Sequence, residues 1–451
     1  MTIYNKGIFI FRRDLRIIDN VGLYNALREC NEVMPVFIFD PIQKEHDFFA
    51  YNAFDFMIES LSELSSTIES MGGYLNIIHD SPIRALNMLI EKYSPNAVYI
   101  NNDYTPYSTE RDSDIERHLS NNGIILKQYD DILLAKPDSM LSKSGRPYSI
   151  FSAFYNNIIG KDISIPLSSN NKNFSSNKIT ESTIPQKYNI SPQRTIIGGR
   201  KNGLKILERI DDYNNYDTIR NIMEEETTML AAHLKFGTIG SREAYHMISS
   251  SLGKEHSLLR QLVWREYYYH IAMNNPHIFG SACRKEYDNI VWDYDEKKII
   301  AWKEGMTGFP IVDAGMRQLI ETGYMHNRTR MICASFLTRD LHADWRIGEK
   351  HYAKYLTDYD PCINNGNWQY ISSTGCDAQP YYRIFNPWTQ QQKHDANAVY
   401  IKRWVRELRD VEPIIIHSMH KNKVKGYPEP IVDHSNERII ALERYKRRNI
   451  K

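Results

Sequence analysis

The sequence predicts two folded parts of different class. An α/β domain with a Rossmann-like parallel sheet covers residues 1–130, an all-α domain covers 200–451, and a long connector at 131–199 joins them. Three observations carry this prediction: short apolar runs alternate with helix-length segments near the N-terminus, the composition then turns polar, and apolar positions afterwards recur at helical spacing.

Residues 7–11, 33–39, 74–78 and 97–100 are strand-like, and 53–70 between two of them is helix-like. That order implies a parallel sheet with crossover helices. Such sheets often hold a ligand beyond the carboxyl ends of their strands. No GxGxxG follows the first strand and no GxxxxGK[ST] occurs, which excludes a standard dinucleotide fingerprint and a P-loop. Residues 161–199 are rich in Ser, Asn, Pro and Lys, most polar at 168–173, so this connector is expected to be mobile in part. Beyond it, 204–210, 241–251, 257–273, 310–320 and 328–341 show helical periodicity, and there is no internal repeat.

A chain of 451 residues, 42% hydrophobic and 25% charged, can bury a large core and favours more than one domain. Its net charge of +1 hides an asymmetry. Residues 1–130 carry 11 Lys+Arg against 19 Asp+Glu, a balance of −8, and the remainder 45 against 36, or +9. The second part is therefore the better candidate for a basic docking surface, although such imbalance also serves solubility alone. The apolar run at 7–11 is too short for a secretory signal and precedes Arg12-Arg13, and no stretch could span a bilayer. An intracellular protein is expected, cytoplasmic or nuclear according to source. The five cysteines, Cys30, Cys283, Cys333, Cys362 and Cys376, lack metal-ligand spacing, so reduced thiols, no disulfide framework and no metal site are expected.

Residues 257–408 concentrate Trp, Tyr, Arg, His and Asn among apolar positions. Buried polar groups need partners, and a large planar ligand with polar edges would supply them. A helical core satisfied by its own side chains is the alternative.

Several long motifs decide further. They are Gly308-Phe309-Pro310-Ile311-Val312-Asp313-Ala314-Gly315-Met316-Arg317, Tyr324-Met325-His326-Asn327-Arg328, Asp358-Tyr359-Asp360-Pro361, Asn364-Asn365-Gly366-Asn367-Trp368-Gln369 and Tyr381-Tyr382-Arg383-Ile384-Phe385-Asn386-Pro387. With Phe11-Arg12-Arg13-Asp14-Leu15-Arg16 near the start and Tyr427-Pro428-Glu429-Pro430 near the end, the chain resembles the photolyase and cryptochrome family over nearly its whole length. The resemblance is closest to class I cyclobutane pyrimidine dimer photolyases. It implies that the helical domain binds FAD and that the chain repairs UV-damaged DNA with light, as a monomer.

The resemblance also distributes roles. Tyr216, Thr227, Thr228 and Leu230 fall where the family holds the FAD diphosphate, and hydroxyls at a helix start suit a phosphate; a plain N-cap is the other reading of Thr227. Family members often have Ser where this chain has Met229, Leu230 and Ala231. Arg330, Asp358 and Asp360 correspond to charged groups along the flavin and its ribose, able to tune its electronics. Asn364 aligns with the side chain facing flavin N5, where plant-type cryptochromes carry Asp and animal types Cys.

A base must leave the duplex before a buried flavin can reach it. Gln261 with Trp264, and Asn327 with Met331, share helix faces and match the family's lesion pocket, with Trp368 nearby; Trp264 and Met331 also read as ordinary core. Enzymes of the (6-4) type place His at both Asn327 and Met331, so cyclobutane dimers are the expected substrate. Gln261 is discordant, since most class I enzymes have Glu there. Arg220, Arg328 and Arg383 are the DNA-binding candidates, and Arg328 and Arg383 match phosphate grips; a solvated salt bridge is the alternative for either of these two. Trp292, Trp345 and Trp368 match the family's electron-transfer chain, whereas Trp302 and Trp404 read as core. A second, light-harvesting chromophore, methenyltetrahydrofolate or a deazaflavin, is expected in the first domain, where Glu110 is either a contact or a solvated carboxylate. The rivals are a cryptochrome-like photoreceptor, for whose signalling tail the 17 residues after His434 leave little room, a (6-4) enzyme and a DASH-type enzyme acting on single strands.

Overall fold

Five strands form one parallel sheet in the order β3-β2-β1-β4-β5: β1 Tyr4–Phe11, β2 Cys30–Phe39, β3 Asn76–His79, β4 Ala97–Asn101 and β5 Ile125–Tyr129. The computed structural model describes residues 2–179 and 183–447. The last five residues of β1 are buried, as a strand covered on both faces requires. Gly7 permits the pairing of β1 with β2, because a Cβ there would stand 2.5 Å from Cys30 Sγ. Crossover helices Val21–Glu29, Tyr51–Ser70, Pro82–Tyr93 and Pro106–Asn121 follow the pattern of the apolar positions. Asn20 caps the first, its Oδ1 accepting from the Leu23 N–H at 3.0 Å.

Strands β1 to β4 fall where the apolar runs placed them. β5 was not anticipated: Ile125-Leu126-Lys127-Gln128-Tyr129 is an edge strand, partly exposed along its length, and carries no continuous apolar run.

Part of the polar connector, around residues 173–175, is hydrogen-bonded to β2. Val33 N–H donates to Asn173 O at 2.9 Å, Ser175 N–H donates to Val33 O at 2.8 Å, and the Asn173 amide donates to Cys30 O at 2.8 Å. Asparagine side chains imitate the backbone in such contacts, so a composition that reads as mobile becomes a sheet flank. A helix, Phe151–Ile158, also lies within the connector.

The chain divides into two compact units. The first comprises Met1–Tyr188, Ile197–Asn214 and Leu230–Asn274, and holds the sheet together with helices Ser241–Leu252 and Ser257–Asn274. The second comprises Asn189–Ile196, Asn215–Met229 and Asn275–Lys451 and is helical. Its interior is organised by Asp313 on helix Pro310–Thr322, which accepts from Thr307 N at 2.7 Å, Gly308 N at 3.1 Å and the Tyr427 hydroxyl. Two of the long sequence motifs thereby meet in one buried hydrogen-bond cluster.

The expectation of five reduced thiols is corrected. Cys283 and Cys376, 93 residues apart in sequence, form a disulfide across a Cα–Cα distance of 5.3 Å, while Cys30, Cys333 and Cys362 are buried outside that disulfide. Sequence spacing was silent here because the fold, not the chain, brings the pair together. Among the described residues no metal-binding cluster occurs, and no helix is long and apolar enough to cross a membrane. Of the basic stretch at 444–448, Arg444 pairs with Asp293 at 2.7 Å, and Arg448 lies outside the described residues.

Candidate functional site

Most of the residues singled out from the sequence lie in the second unit, and two helices position the central ones. Helix Asn327–Ser335 begins at His326, whose Nδ1 accepts from Arg328 N–H at 3.2 Å. Burial, reinforced by Arg330 and Arg328, pushes the His326 pKa down to about 4, which keeps the ring neutral and able to accept. In the first turn Asn327 and Met331 touch, with Nδ2 and Sδ 3.8 Å apart. On the same helix the Arg330 guanidinium donates to Asp358 at 2.9 Å and to Met325 O at 2.8 Å, and lies over the Tyr324 ring. Tyr324 continues the chain through its hydroxyl to Thr227 Oγ1 at 2.9 Å.

Asp358 spends only one oxygen on Arg330. Its Oδ1 is buried and has no hydrogen-bond partner among the described residues, and a buried carboxylate oxygen without a donor is costly. A ligand N–H or hydroxyl would satisfy it. This is a fit for a flavin nucleotide, whose ring and ribose offer both kinds of donor. Asp360 has a backbone role, accepting from Cys362 N at 3.0 Å and Ile363 N at 3.2 Å as the N-cap of helix Pro361–Ser372.

That helix carries Asn364 and Trp368 one turn apart. The Asn364 amide donates to Glu349 O at 3.1 Å, leaving its Oδ1 as the atom suited to accept from a ring N–H. Asn365 donates to Glu349 Oε1 at 2.9 Å and to Ile278 O at 3.0 Å, and Gln369 donates to Asn365 Oδ1 at 2.9 Å. Burial raises the Glu349 carboxyl to about 7, against the opposing pull of its Asn365 hydrogen bond and of Arg346. Glu349 was missed from the sequence: it stands on helix Trp345–Tyr355 in no motif, and only its long-range partners mark it.

Trp368 is buried against Gly348, where a Cβ would come within 2.0 Å of the indole. Trp345, also buried, begins the same helix as Gly348. Trp292 is partly exposed beside Tyr445, ring centroids 6.3 Å apart, and its neighbour Asp293 bridges to Ala343. Trp302 is core as expected, its Nε1 donating to Cys333 O at 3.0 Å, and its ring lies 6.3 Å from that of Trp368.

Three arginines gather electrostatically. Burial lowers the pKa of Arg328, and the positive charges of Arg220 and Arg383 lower it further. Arg328 is held by the Asn221 amide, and Arg220 stands 3.7 Å from Asp217. Tyr216 sits on the short helix before them, its phenol pushed up to about 12 chiefly by burial. Thr227 caps no helix: the nearest begins at Ala231, with Leu230 as an N-cap that makes no side-chain bond.

Leu230, Gln261 and Trp264 belong to the first unit. Gln261 and Trp264 lie partly exposed on helix Ser257–Asn274, and Trp264 stacks on Phe151 with centroids 3.5 Å apart. Glu110 is exposed on its helix.

Residues 8–164 match the family model described as DNA photolyase, and residues 258–447 match that described as the FAD binding domain of DNA photolyase. The deoxyribodipyrimidine photo-lyase of Synechococcus sp. (strain ATCC 27144 / PCC 6301 / SAUG 1402/1) is 35% identical over 455 residues, covering 95% of this chain and 94% of that one. The structure of a photolyase from the archaeon Sulfolobus tokodaii, described as holding two FAD molecules with the implication of a novel light-harvesting cofactor, has a TM-score of 0.87. It is 42% identical over 98% of this chain and 99% of its own. A class III photolyase from Agrobacterium tumefaciens has a TM-score of 0.90 and 32% identity, covering 100% and 98%. Fold and site thus define a class, a flavoprotein with a parallel α/β sheet and a helical FAD-binding portion. The chain belongs to the DNA photolyase family.

Proposed function

We propose that this protein is a deoxyribodipyrimidine photo-lyase that splits cyclobutane pyrimidine dimers in UV-damaged DNA, acting as an intracellular monomer. The observation that carries this reading is helix Asn327–Ser335, where one turn presents a partly exposed Asn–Met pair beside an arginine cluster and the buried side anchors Arg330 to Asp358. FAD, when bound, supplies light absorption and the transferable electron.

The chain's own residues bind, orient and exclude water. Arg330 and Asp358 form a fixed charged pair that would lie along the flavin, and the buried Asp358 Oδ1 would take one of its donors. Asn364, pinned by Glu349 O, presents an acceptor to the ring. Asn327 supplies an amide and Met331 an adaptable apolar surface to the flipped bases, without the imidazoles that (6-4) chemistry uses. Gln261 supplies a hydrogen bond, and Trp264 a stacking face. Arg220, Arg328 and Arg383 hold flanking phosphates. Trp292, Trp345 and Trp368 are the rings that would offer electrons a stepwise path when FAD is bound. A second chromophore, methenyltetrahydrofolate, a deazaflavin or, as in the Sulfolobus tokodaii relative, FAD, serves the sheet unit as antenna.

The test is to incubate the reduced holoprotein with oligonucleotides carrying a cyclobutane dimer or a (6-4) photoproduct, in light and in darkness. Light-dependent restoration of the dimer alone is expected. Failure to restore either lesion would favour a photoreceptor.

A further inference from the structure

The Phe151–Trp264 pair is unusual for a protein core. The two rings lie face to face, 3.5 Å between centroids and 3° between planes, so they overlap with almost no lateral offset. Two electron-rich faces repel in that arrangement, and aromatic pairs ordinarily avoid it for an offset or edge-on geometry. Two features of the first unit relieve the repulsion here. The exposed Arg260, one helical turn before Trp264, sets its guanidinium over Phe151 at 5.5 Å and over Tyr155 at 5.1 Å, drawing electron density from the Phe151 ring. Tyr267 stands edge-on to both rings, 5.7 Å from each at 83° and 86°. The Tyr267 hydroxyl also donates to Ser149 O at 2.7 Å, fastening the start of helix Phe151–Ile158 to helix Ser257–Asn274.

The result is an asymmetric site. Phe151 is buried at 3% exposure, whereas Trp264 keeps part of its surface exposed. A short helix from the connector therefore spends its first residue on fixing the plane of one indole. A ring that must receive a flipped base gains from being immobilised beforehand, because the ordering cost is then not charged to binding.

We infer that Phe151 is a positioning residue for the lesion, locking the plane of Trp264 with Arg260 as its outer layer so that a flipped pyrimidine dimer meets a preformed stacking surface. The inference rests on the dimer-repair reading of Trp264. It adds a residue in the connector, outside every motif that carried the family resemblance.

The test compares the parent holoprotein with Phe151→Leu and Phe151→Tyr. Dark equilibrium binding is measured to an oligonucleotide with one cyclobutane dimer and to the same sequence undamaged, alongside FAD content, melting temperature and repair per absorbed photon at saturating substrate. Phe151→Leu is expected to lose about tenfold in dimer affinity while undamaged DNA, FAD content and saturated repair change less than about twofold. Phe151→Tyr, which keeps the ring, is expected to stay within about twofold throughout. Dimer affinity unchanged in Phe151→Leu overturns the inference. Equal losses on dimer and undamaged DNA, or loss of FAD or of melting temperature, also overturn it by showing a purely structural role. A parent that fails to prefer the dimer sinks the repair reading itself, a result distinct from an unchanged leucine variant.

Discussion

Helix Pro361–Ser372 and the arginine cluster around Arg328 use polar residues in opposite ways. On the helix, the Asn364, Asn365 and Gln369 amides are spent on protein partners, the carbonyls of Glu349, Ile278 and Ser281 and the Glu349 carboxyl among them. Around Arg328, three guanidiniums share one positive field, and Arg328 itself leans on a neutral amide. The first pattern is a rigid lattice for a ligand that must be held still. The second concentrates positive charge that Asp217, 3.7 Å from Arg220, partly offsets, the pattern that would suit a polyanion arriving from solution. The sharpest ways to break this comparison strike the lattice, where burial magnifies every loss.

Asp358→Asn should have the largest effect. It removes the countercharge of Arg330, whose ion pair is mostly buried, and breaking such a pair costs about 3 kcal/mol. The variant is expected to lose FAD on gel filtration and to melt at lower temperature. Full retention of flavin would show that the Arg330–Asp358 pair does not hold the cofactor.

Glu349 tests the lattice through pH. Burial raises its pKa from 4.5 to about 7, so the folded protein prefers the neutral acid. A group with a raised folded pKa contributes stability below its unfolded pKa, and that contribution is lost as pH rises through the folded value. The window is pH 4.5 to 7. Glu349→Gln keeps an acceptor for Asn365 and cannot ionise. Relative to the variant, the parent should lose up to about 3 kcal/mol between pH 5 and pH 8. Urea unfolding at both pH values measures the gap, and a gap independent of pH sinks the assignment.

How much of this was legible in the sequence follows from the range of each interaction. The first four strands announce themselves by apolar runs, because burial on both faces is a local requirement. β5 does not, since its residues stay partly exposed and so tolerate Lys127 and Gln128. Helical spacing places Asn327 with Met331 and Gln261 with Trp264. It could not show that Glu349 pins Asn364, that Phe151 backs Trp264, or that Cys283 meets Cys376, because each partner comes from another element. The connector was the hardest to read: Asn173 sits in a composition typical of disorder, yet its backbone and its amide bond to β2 as a strand's would.

The arginine cluster should respond more mildly. Arg328→Ala removes one candidate phosphate contact and relieves the repulsion felt by its two neighbours. Binding to dimer and undamaged DNA should weaken together, and the slope of log affinity against log salt should fall by about 0.9. A salt slope identical to the parent's would remove Arg328 from the interface.

Gln261 offers the smallest and most specific change. It lies on helix Ser257–Asn274 in the first unit, where its amide can hydrogen bond to a lesion carbonyl but holds no ionisable proton. Hydrogen bonds to an ionised acceptor are stronger than neutral ones, and O–H donors form the shortest of them, so a protonated carboxylic acid there would better stabilise the negative charge that an electron brings to the dimer. Gln261→Glu is therefore expected to raise repair per absorbed photon at saturating dimer by about twofold, a difference of under about 1 kcal/mol. An unchanged yield would show that Gln261 makes no hydrogen bond to the lesion, and the cyclobutane assignment would still stand on Asn327 and Met331.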